Sequence, residues 1–212
     1  MKFSAKASMD FEIAPAGNHV GICNGLIDLG MQPGSGQYPA PKHQVYMRFE
    51  LPTERVKYTK DGKEIEGPMS MGRSFTASMS EKANLRKFIE SWFGKKFQTD
   101  DAASDFDVKQ ILGRKCLLNV THTEKGGKTY ANISNATPIP KGMTAEYPQH
   151  NKSLYFSLAS PDQVVYQSLP EWLRKKIDSR ITEEKMVADY AAGKDERNPP
   201  PVDADFDDEI PF

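Results

Sequence analysis

Gln44-Val45-Tyr46-Met47-Arg48-Phe49-Glu50-Leu51 is the most regularly patterned stretch of the chain. Val45, Met47, Phe49 and Leu51 alternate with Gln44, Tyr46, Arg48 and Glu50, the two-residue period of a β-strand with one face in a core. The opposite face sets Tyr46 beside Arg48. An aromatic ring next to a guanidinium is the pair that stacks a nucleobase and holds a phosphate. A strand so patterned needs partners, and the flanking sequence offers them.

On the downstream side, Pro52 is expected to end the strand. Asp61-Gly62 is a hairpin-turn signal. The stretch from Arg55 therefore reads as a protruding ribbon carrying Lys57, Tyr58, Lys60 and Lys63. Met71 to Ser78 reads as the next strand, with Arg73 and Phe75 on one face. On the upstream side, Val20, Ile22, Leu26, Ile27 and Leu29 mark a strand whose alternation slips near Gly25, the sign of a bulge or sharp bend. A Gly- and Pro-rich loop with Tyr38, and Lys42 on its far shoulder, joins the two. Residues 1–16 read as an arm.

Ser80 is expected to cap a helix in which Leu85, Phe88, Ile89 and Trp92 fall at i, i+3, i+4 and i+7, closed by Gly94. These apolar residues read as core, Trp92 included. After a polar connector with Asp100, Asp101, Asp105 and Asp107 come two more strands. Lys115 to His122 points Cys116, Leu118 and Val120 inward. Lys125 and the Gly126-Gly127 turn lead into Lys128 to Ala136, with Ala131 and Ile133 inward and Tyr130 and Asn132 outward. The order over residues 17–138 is strand, strand, strand, helix, strand, strand. It resembles the oligonucleotide/oligosaccharide-binding (OB) fold, a five-stranded, partly open Greek-key barrel. The expected fold class is therefore mainly β, with a C-terminal helical appendage.

Residues 139–160 read as an irregular connector. Ser160-Pro161-Asp162-Gln163 is a helix start with Ser160 as cap. Pro170 opens a second helix, with Trp172, Leu173 and Ile177 on one face and Arg174, Lys175 and Lys176 on the other. A third segment near Thr182 to Ala192 carries Met186, Val187 and Tyr190. The stretch 139–194 thus reads as connector and helical appendage, packed on the barrel or on another subunit. From Asp195 onward, Pro199-Pro200-Pro201 leads to an acidic end that reads as disordered.

Charge separates the two parts. The chain of 212 residues has 28 Lys and Arg against 29 Asp and Glu, a net charge of -1. Five of those acids, and no base, lie in residues 203–212. The remainder is modestly basic, which permits phosphate binding. No run approaches the ~20 apolar residues of a membrane span. Cys23 and Cys116 lie far apart without metal-ligand spacing, so reduced thiols and a cytoplasmic setting are expected. His19, His43, His122 and His150 are scattered; phosphate-cradling loops and a nucleophile elbow are absent. Glu183-Glu184-Lys185 sits on an expected helix and reads as a surface charge run. No catalytic residue, metal or cofactor is expected.

What remains is a binding surface. Sequence-tolerant binding of single strands needs aromatic platforms along a basic groove. Outer-face candidates are Tyr46, Arg48, Arg73, Phe75, Lys115, Lys128 and Tyr130; loop candidates are Tyr38, Lys42, Arg55, Lys57, Tyr58, Lys60, Lys63 and Lys125.

The chain closes on Asp207-Asp208-Glu209-Ile210-Pro211-Phe212. An acidic run followed by Ile-Pro-Phe resembles the tail of single-stranded DNA-binding proteins of bacteria and their phages, with Glu209 standing where Asp is usual. The resemblance implies that these residues dock replication, recombination and repair proteins. Such a partner would take the Phe212 ring in an apolar pocket and the carboxylates on Arg or Lys. It also implies single-stranded DNA as ligand. A homo-oligomer is compatible with it, although a helical segment here replaces a low-complexity linker and puts the usual tetramer in doubt. Two alternatives stay open: a DNA-processing nuclease with the same docking tail, and an interaction adaptor that mimics the tail.

Overall fold

The computed structural model describes residues 12–34, 39–60, 62–143, 146–182 and 184. The 44–51 alternation lies within a much longer strand than its pattern marks. The strands are β1 (Gly17–Gln32), β2 (Lys42–Lys60), β3 (Lys63–Thr76), β4 (Lys115–Lys125) and β5 (Lys128–Thr137). They pair antiparallel in the order β3-β2-β1-β4-β5, curled into a half-barrel. Pro52 does not end β2. The register shifts between Leu51 and Arg55, so Pro52 falls in an unpaired bulge where its missing N–H costs no ladder bond. The expected slip in β1 is present as a register shift between Cys23 and Gly25.

Curling brings the edge strands β3 and β5 together, and Arg73 bridges them. Its guanidinium donates to the carbonyls of Ile133 at 3.2 Å and Ser134 at 2.8 Å. Helix α1 (Asn84–Phe93) packs its apolar stripe into the concave side. Phe88 lies 4.9 Å from Phe75 and 6.2 Å from Phe49 between ring centroids. Trp92 lies 5.6 Å from Phe49, and its indole N–H donates to the Lys115 carbonyl at 3.0 Å. Gly94 closes α1 in the left-handed region at φ 61°, as expected, but Ser80 is not the cap. Its carbonyl instead accepts from Ala83 N–H in a preceding turn at 3.0 Å. The polar connector folds into α2 (Asp100–Ser104) and a 3-10 turn (Val108–Ile111). Arg86 donates to Glu90 one turn further along α1 at 3.1 Å and ties α1 to α2 by donating to Asp100 at 2.5 Å.

The convex side of β1 and β2 is buried as well. A second cluster there joins Ile27 and Leu29 to Phe156, Leu169, Leu173 and Ile177. Part of the expected irregular connector is a strand, β6 (Leu154–Phe156), which pairs parallel with Gly25–Ile27 of β1. Helices α3 (Gln163–Ser168) and α4 (Glu171–Asp178) follow. Asp162 rather than Ser160 caps α3, its carboxylate accepting from the N–H groups of Val164 and Val165. The expected third helical segment lies outside the described residues, apart from Thr182 and Glu184.

Both cysteines are fully buried free thiols. Burial pushes the Cys23 thiol from 9.0 up to about 12 and the Cys116 thiol well above its ordinary value. A thiol pKa raised by folding means that the unfolded chain gives up its proton first, so stability falls as pH climbs above about 9. We expect no alkylation of either cysteine in the native protein at pH 8. Urea midpoints should decline progressively between about pH 9 and 12. Mass spectrometry after iodoacetamide treatment checks the first; modification without unfolding would contradict the burial.

Candidate nucleic-acid interface

Register places the two main hairpins at one end of the sheet. Pairing of β4 with β1 stops at Gly17 opposite Val120, and pairing of β2 with β1 stops at Ile22 opposite Glu50. Both strands run antiparallel to β1 and continue past its start, so both hairpins project from the same end. In the β2–β3 hairpin, Arg55 pairs with Glu66 at 3.1 Å and Lys57 with Glu64 at 3.4 Å. These are exposed pairs that hold little energy and yield easily to a phosphate. Tyr58 is 44 % exposed, and its ring lies along Gly67, where an added Cβ would stand 3.0 Å from it. Lys60 pairs through its backbone with Lys63 at the tip.

The β4–β5 hairpin turns on Gly126 and Gly127, with φ of 60° and 73°, the two successive positive values that a tight hairpin turn requires. Lys125 and Lys128 stand opposite each other at its tip, flanking the turn, and Tyr130 stands opposite Thr123. Tyr130 is 48 % exposed. The Asn132 amide donates to Thr123 Oγ1 at 2.9 Å and braces the ribbon across the ladder. His122, at the root, is 2.7 Å from the Ala14 carbonyl, a satisfied rim histidine. Together the hairpins offer two exposed phenol rings and a set of exposed lysines.

The strand-face candidates divide differently from the expectation. Tyr46 and Arg48 do point to the convex side, but that side is covered. The Tyr46 ring crosses Gly72, where an added Cβ would collide with it, and meets Trp172 edge to face at 5.1 Å and 85°. Burial pushes the Tyr46 phenol up to about 12. Arg48 donates to the Asn24 side chain at 2.9 Å and to its carbonyl at 3.3 Å; burial lowers the guanidinium pKa. The Asn24 amide in turn donates to Glu50 at 3.0 Å. Glu50, fully buried, also accepts from His150 N–H at 2.6 Å and from the backbone and side chain of Asn151 at 2.9 and 2.8 Å. The row Tyr46, Arg48, Glu50 therefore anchors residues 150–177 rather than presenting a free ring and guanidinium.

Arg73 and Phe75 require a second correction, because they lie on the concave face. Arg73 stands opposite Met47 and Phe75 opposite Val45. Phe75 is 1 % exposed, and the Arg73 guanidinium lies over its ring at 4.8 Å. Phe75 is core, and Arg73 fastens the barrel. Lys115 is exposed at the start of β4, and Lys42 is half-buried at the start of β2. Tyr38 and the tail Asp207, Asp208, Glu209, Ile210, Pro211 and Phe212 lie outside the described residues.

Trp172, expected on one face of the second helix with Leu173 and Ile177, departs from them: it is 51 % exposed, whereas both of them are buried. The spacing held the signal: Leu173 and Ile177 are four apart and share a face, whereas Trp172 is one residue off that stripe.

Among the described residues, no group of three or more His, Cys, Asp or Glu could hold a metal ion. None of their helices is long and apolar enough to cross a membrane. The geometry defines a mainly β protein, a curled antiparallel half-barrel with two ribbons at one end that each carry tyrosine and lysine. The chain matches no protein-family model and no curated protein.

Proposed function

We propose that the chain is a non-enzymatic single-stranded DNA-binding protein with an OB-type barrel, which recruits replication, recombination or repair proteins through residues 207–212. Support for the barrel type comes from the sheet order β3-β2-β1-β4-β5, with α1 between β3 and β4 and Arg73 drawing β3 to β5. The observation that carries the function is the pair of hairpins. Each extends past β1 at the same end and bears one exposed tyrosine among lysines. Rings on two ribbons offer successive bases a place to stack, and lysines between them meet the backbone phosphates. The acidic Ile-Pro-Phe ending supports the recruiting role.

Fluorescence anisotropy with labelled single-stranded, duplex and RNA oligomers at two salt concentrations tests the reading. Single-stranded DNA should bind best, with affinity falling steeply as salt rises. Tyr58→Ala together with Tyr130→Ala should weaken binding by at least about ten-fold, since each stacked base contributes ~1–3 kcal/mol. Both rings are exposed, so circular dichroism should be unchanged. Full affinity in the folded double mutant would remove the hairpins from the site.

A further inference from the structure

The chain has two tryptophans in opposite environments: Trp92 is 2 % exposed and Trp172 is 51 % exposed. Helix α4 does not need the Trp172 indole to dock. Leu173 and Ile177, 1 % and 2 % exposed, fill the cluster against β1. Gln32 donates to the Lys176 carbonyl at 3.1 Å, and Ile181 N–H donates to the Met31 carbonyl at 2.7 Å. The indole instead sits on the convex surface at right angles to Tyr46. In such an edge-to-face pair the indole gives Tyr46 one face at most, and about half of the Trp172 surface is exposed. On β3 the Tyr46 ring lies over Gly72, in an outward row of small residues, Ser70, Gly72 and Ser74, opposite Glu50, Arg48 and Tyr46 of β2.

Charge around the ring complements a nucleic-acid backbone. Lys175 and Lys176 follow Trp172 at i+3 and i+4, on its side of the helix. Lys175 pairs with Glu171 at 2.6 Å, but both are more than two-thirds exposed, so a phosphate can take the ammonium over at little cost. We propose that Trp172 is a stacking platform for a base of single-stranded DNA, with Lys175 and Lys176 placed for the adjoining phosphates. The appendage is then part of the binding surface rather than a cover over it. Tyr46 serves that surface indirectly, through its edge-to-face contact with the indole. This inference rests on the single-strand reading given above.

Intrinsic fluorescence of the full-length chain tests it, because Trp92 is shielded and only Trp172 can stack on a ligand. Oligo-thymidylate is titrated while anisotropy of a labelled copy reports binding independently. Emission should be quenched in step with binding, and the quenching should vanish in Trp172→Phe. Trp172→Ala should weaken affinity between about five- and a hundred-fold with unchanged circular dichroism. Binding by anisotropy without quenching, or full affinity in Trp172→Ala, overturns the platform and leaves the hairpin site standing. Absence of binding at low salt overturns both.

Discussion

Trp92→Ala is expected to cost about 3–5 kcal/mol of folding stability, the range for an aromatic removed from a packed core. The ring lies among Phe49, Phe88 and Phe93, with centroids 5.6, 6.4 and 5.8 Å away. Its loss opens a void where α1 meets the concave sheet. It also strips the Lys115 carbonyl of its indole donor. A domain of this kind holds only about 5–15 kcal/mol in total, so the variant should sit close to unfolding at physiological temperature. Urea midpoints of the two proteins decide the matter. A loss below about 1 kcal/mol would mean that α1 is not the plug of the half-barrel.

Glu50→Ala should be nearly as damaging by a different route. The carboxylate accepts four hydrogen bonds: one from the Asn24 amide, one from His150 N–H and two from Asn151. Removing it leaves those donors unsatisfied at a buried site, for about 3 kcal/mol or more. The loss should be local as well as global, because His150 and Asn151 are fixed to the barrel through this one side chain. Limited proteolysis should therefore cut the 146–153 stretch first in Glu50→Ala while the barrel remains intact. Glu50→Gln keeps one acceptor oxygen and should fall between. An unaltered digestion pattern would show that β6 alone holds the connector.

Much of the sheet was legible because its residues repeat with period two against one core. The alternation at 44–51, the slip at Gly25, the Gly126-Gly127 turn and the α1 stripe each follow from local chemistry. The convex side was not legible, because a polar row such as Tyr46, Arg48 and Glu50 looks the same whether it faces water or a hydrogen-bonded connector. Only long-range pairing with His150, Asn151 and Trp172 distinguishes the two. The phase of β3 misled for a related reason. Its outward row, Ser70, Gly72 and Ser74, is small, and its inward row contains Arg73, a charge that the sequence cannot place inside without the Ile133 and Ser134 carbonyls that receive it. Pro52 failed as a stop signal because a bulge relieved it of its ladder bond.

One edge of β1 is shared between two neighbours, β4 as far as Ile22 and β6 from Gly25 to Ile27. The kink at Gly25 is where the strand exchanges one for the other. Barrel and appendage are thus joined by a ladder as well as by side-chain packing, and the seam between them runs through the sheet itself. Shortening the chain after Thr137 would strip that seam, baring backbone donors and acceptors beside the outward apolar Ile27 and Leu29. An uncovered edge of that composition is a template for self-association. Residues 154–177 thereby cover both the edge and the outward apolar side of β1.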